Sequence, residues 1–145
     1  MRIILLLSFL FITSSLIAQT RINWDILADV SFVMEYDETL GISQNVPRFG
    51  EDPKQYENQE VSISGYTIPI DGSGKYYVLS KFPYSNCYFC GNAGPETIVE
   101  LSLKPKAQRR FETDQRVTVR GKLQLNTSDL YSLPYRVVDA EVEEL

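Results

Sequence analysis

Two cysteines, Cys87 and Cys90, stand three positions apart in the stretch SNCYFCGNAGPETIVEL (85–101), in a chain without a single histidine. Thiols at that spacing in a turn close on each other as a disulfide, hold a soft metal ion, or exchange with other thiols. Tetrahedral zinc wants four ligands and normally takes them from two such pairs, so this pair supplies half a site. The other half would be Glu96 or Asp129 oxygen, a water or partner ligand, or the same pair of a second subunit. That last arrangement makes a homodimer bridged by four sulfurs. Cu(I) is satisfied by two or three sulfurs. A disulfide across so short a loop removes little unfolded-state entropy, about 1–2 kcal/mol, and acts mainly by fixing the loop's shape. Thiol exchange wants a lowered pKa and a βαβ setting. Here the flanks are Asn, Tyr, Phe and Gly, with no crossover helix in view. Gly91 stands where covalent c-type haem attachment needs histidine, which excludes it.

Other chemistry has few carriers. Without histidine the usual general base and the Ser-His-Asp arrangement are gone. The carboxylate pairs Glu51-Asp52 and Glu143-Glu144 read as solvated, since neighbours on a strand point to opposite faces. No catalytic residue is assigned, and the reading is of a protein that binds.

What two thiols become depends on the compartment. MRIILLLSFLFITSSLIAQT (1–20) has one positive charge, an apolar run and a small residue at Ala18, the pattern of a secretory leader cut between Ala18 and Gln19. The unbroken apolar run is shorter than the roughly 18–20 residues that a membrane span requires, and no basic stop-transfer cluster follows. No cysteine follows the cut, so lipidation is not indicated. The expectation is a secreted or periplasmic protein, not membrane-spanning after cleavage, in a space where disulfides persist. The leader takes one arginine and no acid, leaving 13 basic against 19 acidic side chains. An acidic surface of that kind speaks against nucleic acid and anionic membrane as partners.

The elements that must position the cysteines read as β. RVTVRGKLQL (116–125) alternates with period two, and Gly121 sits on its buried parity, where a barrel strand bends or a backbone passes close. EVSISGYTIPI (60–70) repeats the device with Val61, Ile63 and Gly65. DGSG (71–74) turns the chain into KYYVLSKFP (75–83). ETIVELSLK (96–104) and YRVVDAEVEEL (135–145) complete five strands. The predicted fold is all-β, a small five-stranded OB-like Greek-key barrel, with a β-sandwich as the alternative. Residues 1–18 are the leader, 19–59 an N-terminal extension and surface connection, and 60–145 the barrel, the two packed as one domain. Within the extension, INWDILADVSFVMEYD suggests a short helical turn followed by an extra strand, and 41–59 a long surface connection.

The cysteines therefore fall in a loop at the barrel rim, bounded by Pro83 and Pro95. Asn86, Gly91, Asn92 and Gly94 tolerate left-handed backbone, and Gly91 and Gly94 allow close approach. Tyr76, Tyr77, Phe82, Tyr84, Tyr88 and Phe89 either roof the core or line a groove. A ligand or partner surface on Tyr84, Tyr88 and Phe89 requires them to be exposed together.

VSISGYTIPID, YYVLSKFPYSNCYFCGNAGPETIVEL, VTVRGKLQL and LPYRVVDAEV together resemble the bacterial exported family known as domain of unknown function 3299, over roughly 24–142. The resemblance implies an envelope OB-like domain with a Cys-bearing turn of metal-binding character, and a partner among envelope or transporter components. On this chain the turn is Cys87, Cys90, Gly91, Gly94, Pro95 and Glu96. The histidine or further cysteine that many relatives place near the turn is missing. The expected function is a non-catalytic binding protein working through the Cys87/Cys90 loop, with zinc or copper as the metal. The alternatives are an interaction module stapled by a Cys87–Cys90 disulfide and, third, a thiol-disulfide oxidoreductase.

Overall fold

The structure is a computed structural model that describes residues 20–145 apart from Gly74 and Leu130. The expected leader and its cut at Ala18 and Gln19 lie outside the described residues.

Alternating apolar residues build the strands, and the strands close into a barrel. In chain order the elements are β1 (Thr20–Arg21), α1 (Trp24–Leu27), β2 (Val30–Asp37), β3 (Ile42–Phe49), α2 (Glu51–Lys54), β4 (Glu60–Pro69), β5 (Tyr77–Ser80), β6 (Ile98–Leu103), β7 (Arg116–Leu125) and β8 (Tyr135–Glu144). The sheet runs β1-β4-β5-β6-β8-β7 and closes through β4–β7. Counting only β4 to β8, the order is first, second, third, fifth, fourth, back to first. The third and fifth run parallel and the other barrel pairs antiparallel. This is the expected five-strand OB-like Greek-key barrel, with β1 added in parallel on β4.

The inner parity carries the core: Val61 and Ile63, Tyr77 and Leu79, Val99 and Leu101, Val117, Val119 and Leu123, Tyr135 and Val137. Gly65 and Gly121 are the two places where closure leaves no room for a side chain. A Cβ on Gly65 would lie 2.5 Å from the Ser80 carbonyl oxygen, and one on Gly121 2.6 Å from that of Val138, beside a register shift in the β7–β8 ladder. Pro69 ends β4, where a missing donor costs least.

The N-terminal part caps one end. Asn23 accepts the Asp25 and Ile26 amides to start α1, Leu27 is fully buried in the core, and the Tyr135 hydroxyl donates to the Leu27 carbonyl at 2.7 Å. The expected helical turn and extra strand are both present. Residues 41–59, however, are more than a surface connection. Positions 42–49 form β3, antiparallel to β2 over eight residue pairs, and α2 follows. Composition hid this strand because Pro, Asn and Gly signal loop, whereas pairing with β2 supplies what propensity lacks. Gly41, at φ 67°, closes the turn with its amide on the Asp37 carbonyl.

Candidate functional site

Residues 81–97 link the second and third barrel strands and hold the cysteines, as their bounding prolines suggested. The loop is made of short 3-10 turns at Tyr84–Asn86, Tyr88–Cys90 and Pro95–Thr97. Of the four turn formers, only Gly91 takes a left-handed backbone, at φ 75°. Gly94 is extended and leaves space for the Glu96 carboxylate that folds back over it. The Asn92 amide stitches the loop to the Ser85 carbonyl, and neither Asn86 nor Asn92 has positive φ. The loop is also tied to the next connection, where the Asp114 carboxylate accepts the Tyr84 amide at 2.6 Å.

The two cysteines have different surroundings. Cys87 is fully buried with Ile68 and Val78, and Leu133 packs against them; Cys90 is exposed and its thiol donates to the Tyr84 carbonyl at 3.0 Å. They stand 4.3 Å apart as free thiols, against about 2.05 Å for a bonded sulfur pair. Desolvation, and next the adjacent Cys87, raise the Cys90 thiol above its ordinary value. That direction is opposite to the one thiol exchange needs. Among the described residues, no three Cys, Asp or Glu side chains converge as a metal cluster. Glu96 leans on Gly94, and Asp129 is held by its own loop, so neither joins the pair.

Burial of Cys87 has a topological cause. Ile68, Val78, Glu100, Arg136 and Gln124 are laterally paired across β4, β5, β6, β8 and β7, and form one row on the barrel's outer face. Small barrels of this type take oligomeric ligands on that face, around the second and third strands. Here the chain's own loops cover it. Cys87 and Leu133 sit on Ile68 and Val78, and the Glu100–Arg136 ion pair at 3.1 Å is bonded to the Ser132 hydroxyl at 3.0 Å.

The open concavity lies beside that cover. A groove of about 450 Å³ is bounded by Phe32, Val46 and Pro47 of the β2–β3 hairpin, by Tyr88 and Pro95 of the cysteine loop, and by the β7–β8 loop from Asn126 to Pro134. The last loop is self-braced. Asn126 donates to the Asp129, Ser132 and Leu133 carbonyls and accepts the Ser128 and Asp129 amides. The Asp129 carboxylate takes the Ser132 hydroxyl and the Tyr131 amide, which hold its pKa below the ordinary value, with Arg136 adding to the effect. Lysine and arginine are absent from the lining, and Asp129 is its one carboxylate.

Tyr84, Tyr88 and Phe89 are exposed together, with the Tyr88 and Phe89 rings edge to face at 5.6 Å, yet only Tyr88 reaches the groove. Tyr77 is core, its hydroxyl accepting the Phe111 amide. The hairpin wall and Tyr131, which is 94% exposed, escaped the sequence reading. The period-two run VSFVMEYD carried a signal for the first, and the Asx-rich NTSD before Tyr131 for the second.

No protein-family model and no curated protein matches the chain. Among solved structures, the crystal structure of a DUF3299 family protein from Pseudomonas aeruginosa PAO1 is similar, with a TM-score of 0.53 and 16% identity, over 88% of this chain and 98% of that one. At that identity the likeness shows the fold, and this is the family whose resemblance the sequence carries.

Proposed function

We propose that this is an exported, non-catalytic binding module whose contact end is the groove between the cysteine loop, the β7–β8 loop and the hairpin. The observation that carries the reading is the chemistry of the groove wall. Its aromatic and proline faces are open, while the side chains best suited to chemistry, Asn126 and Asp129, are already committed to bracing the loop. A wall with one ionised carboxylate and no cation suits a neutral or cationic ligand with an apolar face and repels phosphate. The paired thiols would then serve as a local staple that fixes Tyr88 when they oxidise on export.

The test is an amide NMR screen of the exported protein with neutral saccharide and cationic peptide fragments. Shifts should cluster at the amides of 45, 46, 88, 96, 126–129 and 131–133, and Tyr88→Ala should abolish them. Shifts confined to the open cleft lined by Lys104, Lys106 and Glu141 would refute the assignment.

A second reading, a soft-metal contact in an envelope accessory protein, is favoured by two free thiols in one loop with no third Cys, Asp or Glu converging on them among the described residues. Two sulfurs alone are half of a tetrahedral zinc site but satisfy a two-coordinate ion such as Cu(I). Competition with a Cu(I)-selective chelator should show one ion per chain, lost in Cys90→Ser. Zinc binding of equal strength would count against it.

A further inference from the structure

The two thiols differ in access, and access decides which of them an oxidant from solution meets. Cys87 is fully buried against Ile68 and Val78 with Leu133 packed on them, whereas Cys90 is exposed. The Cys90 thiol donates to the Tyr84 carbonyl at 3.0 Å, a bond that water can replace at an exposed site. Between the cysteines the turn is held by the Cys90 amide on the Cys87 carbonyl at 3.2 Å and the Gly91 amide on the Tyr88 carbonyl at 2.9 Å. The pair is thereby kept within 4.3 Å. Thiol–disulfide exchange requires direct contact between the attacking and the attacked sulfur, so a sulfur shut off from solvent reacts with an outside disulfide only when the loop opens.

We propose that Cys90 is a modification site for small disulfides of the glutathione class, and that Cys87 is the internal thiol that resolves the adduct. This rests on the staple in the preceding reading and gives it a reaction order. In the first step the Cys90 thiolate attacks one sulfur of the small disulfide. A bond forms from Cys90 Sγ to that sulfur, the disulfide's own bond breaks, and one small thiol leaves with the proton that Cys90 gave up. In the second, the Cys87 thiolate attacks Cys90 Sγ from the inner side. The Cys87–Cys90 bond forms, the bond to the adduct breaks, and the second small thiol departs to solvent with the proton of Cys87. The two protein thiols are oxidised by two electrons, and one small disulfide is reduced to two thiols. Desolvation, and next Cys87, raise the Cys90 thiol, so its thiolate is scarce and the first step is slow, but the order of attack is set by access. Reduction retraces the path: an outside thiolate strikes Cys90 and releases Cys87.

Intact-mass kinetics of the reduced, chelator-treated exported protein with glutathione disulfide test this. The folded wild type should lose two hydrogens and retain no glutathione. Cys87→Ala should accumulate one glutathione, mapped to Cys90 by peptide mass. Cys90→Ser, a conservative change at an exposed site, should take glutathione on Cys87 roughly tenfold more slowly than Cys87→Ala takes it on Cys90, and urea should erase the difference. Equal rates for the two folded variants overturn the order, as does a lasting adduct on the wild type, which leaves Cys87 no resolving role. Cys90→Ser reacting as fast folded as in urea overturns it without reference to Cys87→Ala, whose fold circular dichroism checks. A folded wild type whose thiols both stay reduced removes the staple and this order with it, while the groove is judged separately by its fragment screen.

Discussion

Replacing Cys87 by serine tests whether the buried cysteine is a plug in its own right. Its sulfur sits, fully buried, among Ile68, Val78 and Leu133, none of which offers a side-chain hydrogen-bond partner. A serine there trades a weakly polar thiol for a hydroxyl without a partner, which costs about 1–3 kcal/mol. Cys90→Ser exchanges an exposed donor to the Tyr84 carbonyl for another donor and should change stability by less than about 0.5 kcal/mol. In reductant the two variants should therefore differ by roughly 2 kcal/mol, and for a domain of this size by about 6–8 °C in Tm. Without reductant the comparison changes. If the wild type forms the disulfide, each variant loses the same bond, adding an equal penalty of about 1–2 kcal/mol to both. Thermal melts with and without reductant separate the two contributions. Equal melting of the variants in reductant would show that Cys87 does not plug the outer face.

Gly121→Ala should cost about 2–3 kcal/mol in urea unfolding, because its Cβ would meet the Val138 carbonyl oxygen at 2.6 Å and the Val137 side chain at 2.7 Å; a neutral result would mean that the bulge relaxes. Tyr135→Phe leaves the Leu27 carbonyl without its 2.7 Å donor, an expected loss of about 1–2 kcal/mol. Burial, and next the charges of Asp29 and Glu96, raise the Tyr135 pKa, so the folded state keeps a proton that the unfolded state releases above about pH 10. Stability from this group is complete below pH 10 and falls as pH rises above it, and Tyr135→Phe should flatten that fall in alkaline melts. Lys104→Ala breaks an exposed 2.7 Å pair with Glu141 and should shift the urea midpoint little; a large shift would mean that the pair is shielded from solvent.

Period-two patterning located the five barrel strands, because a strand with one buried face must alternate whatever it packs against. Val117, Val119 and Leu123 were legible as core for that reason, and Gly65 and Gly121 as points of closure because a missing side chain on the buried parity calls for a close neighbour. The histidine-free composition and the spacing of Cys87 and Cys90 likewise needed no fold to limit the chemistry. Only the tertiary structure made the two cysteines unequal. Which of two loop thiols is buried depends on Leu133, 46 positions downstream of Cys87, coming down on Ile68 and Val78. The groove has the same origin. Phe32, Tyr88 and Ser132 share it because barrel closure brings β4–β8 together, while Phe49, its ring tilted at 59° against that of Tyr135, holds the base of the hairpin against them. Local sequence fixes a residue's face on its strand, but the distance between two loops is set by how the strands between them close.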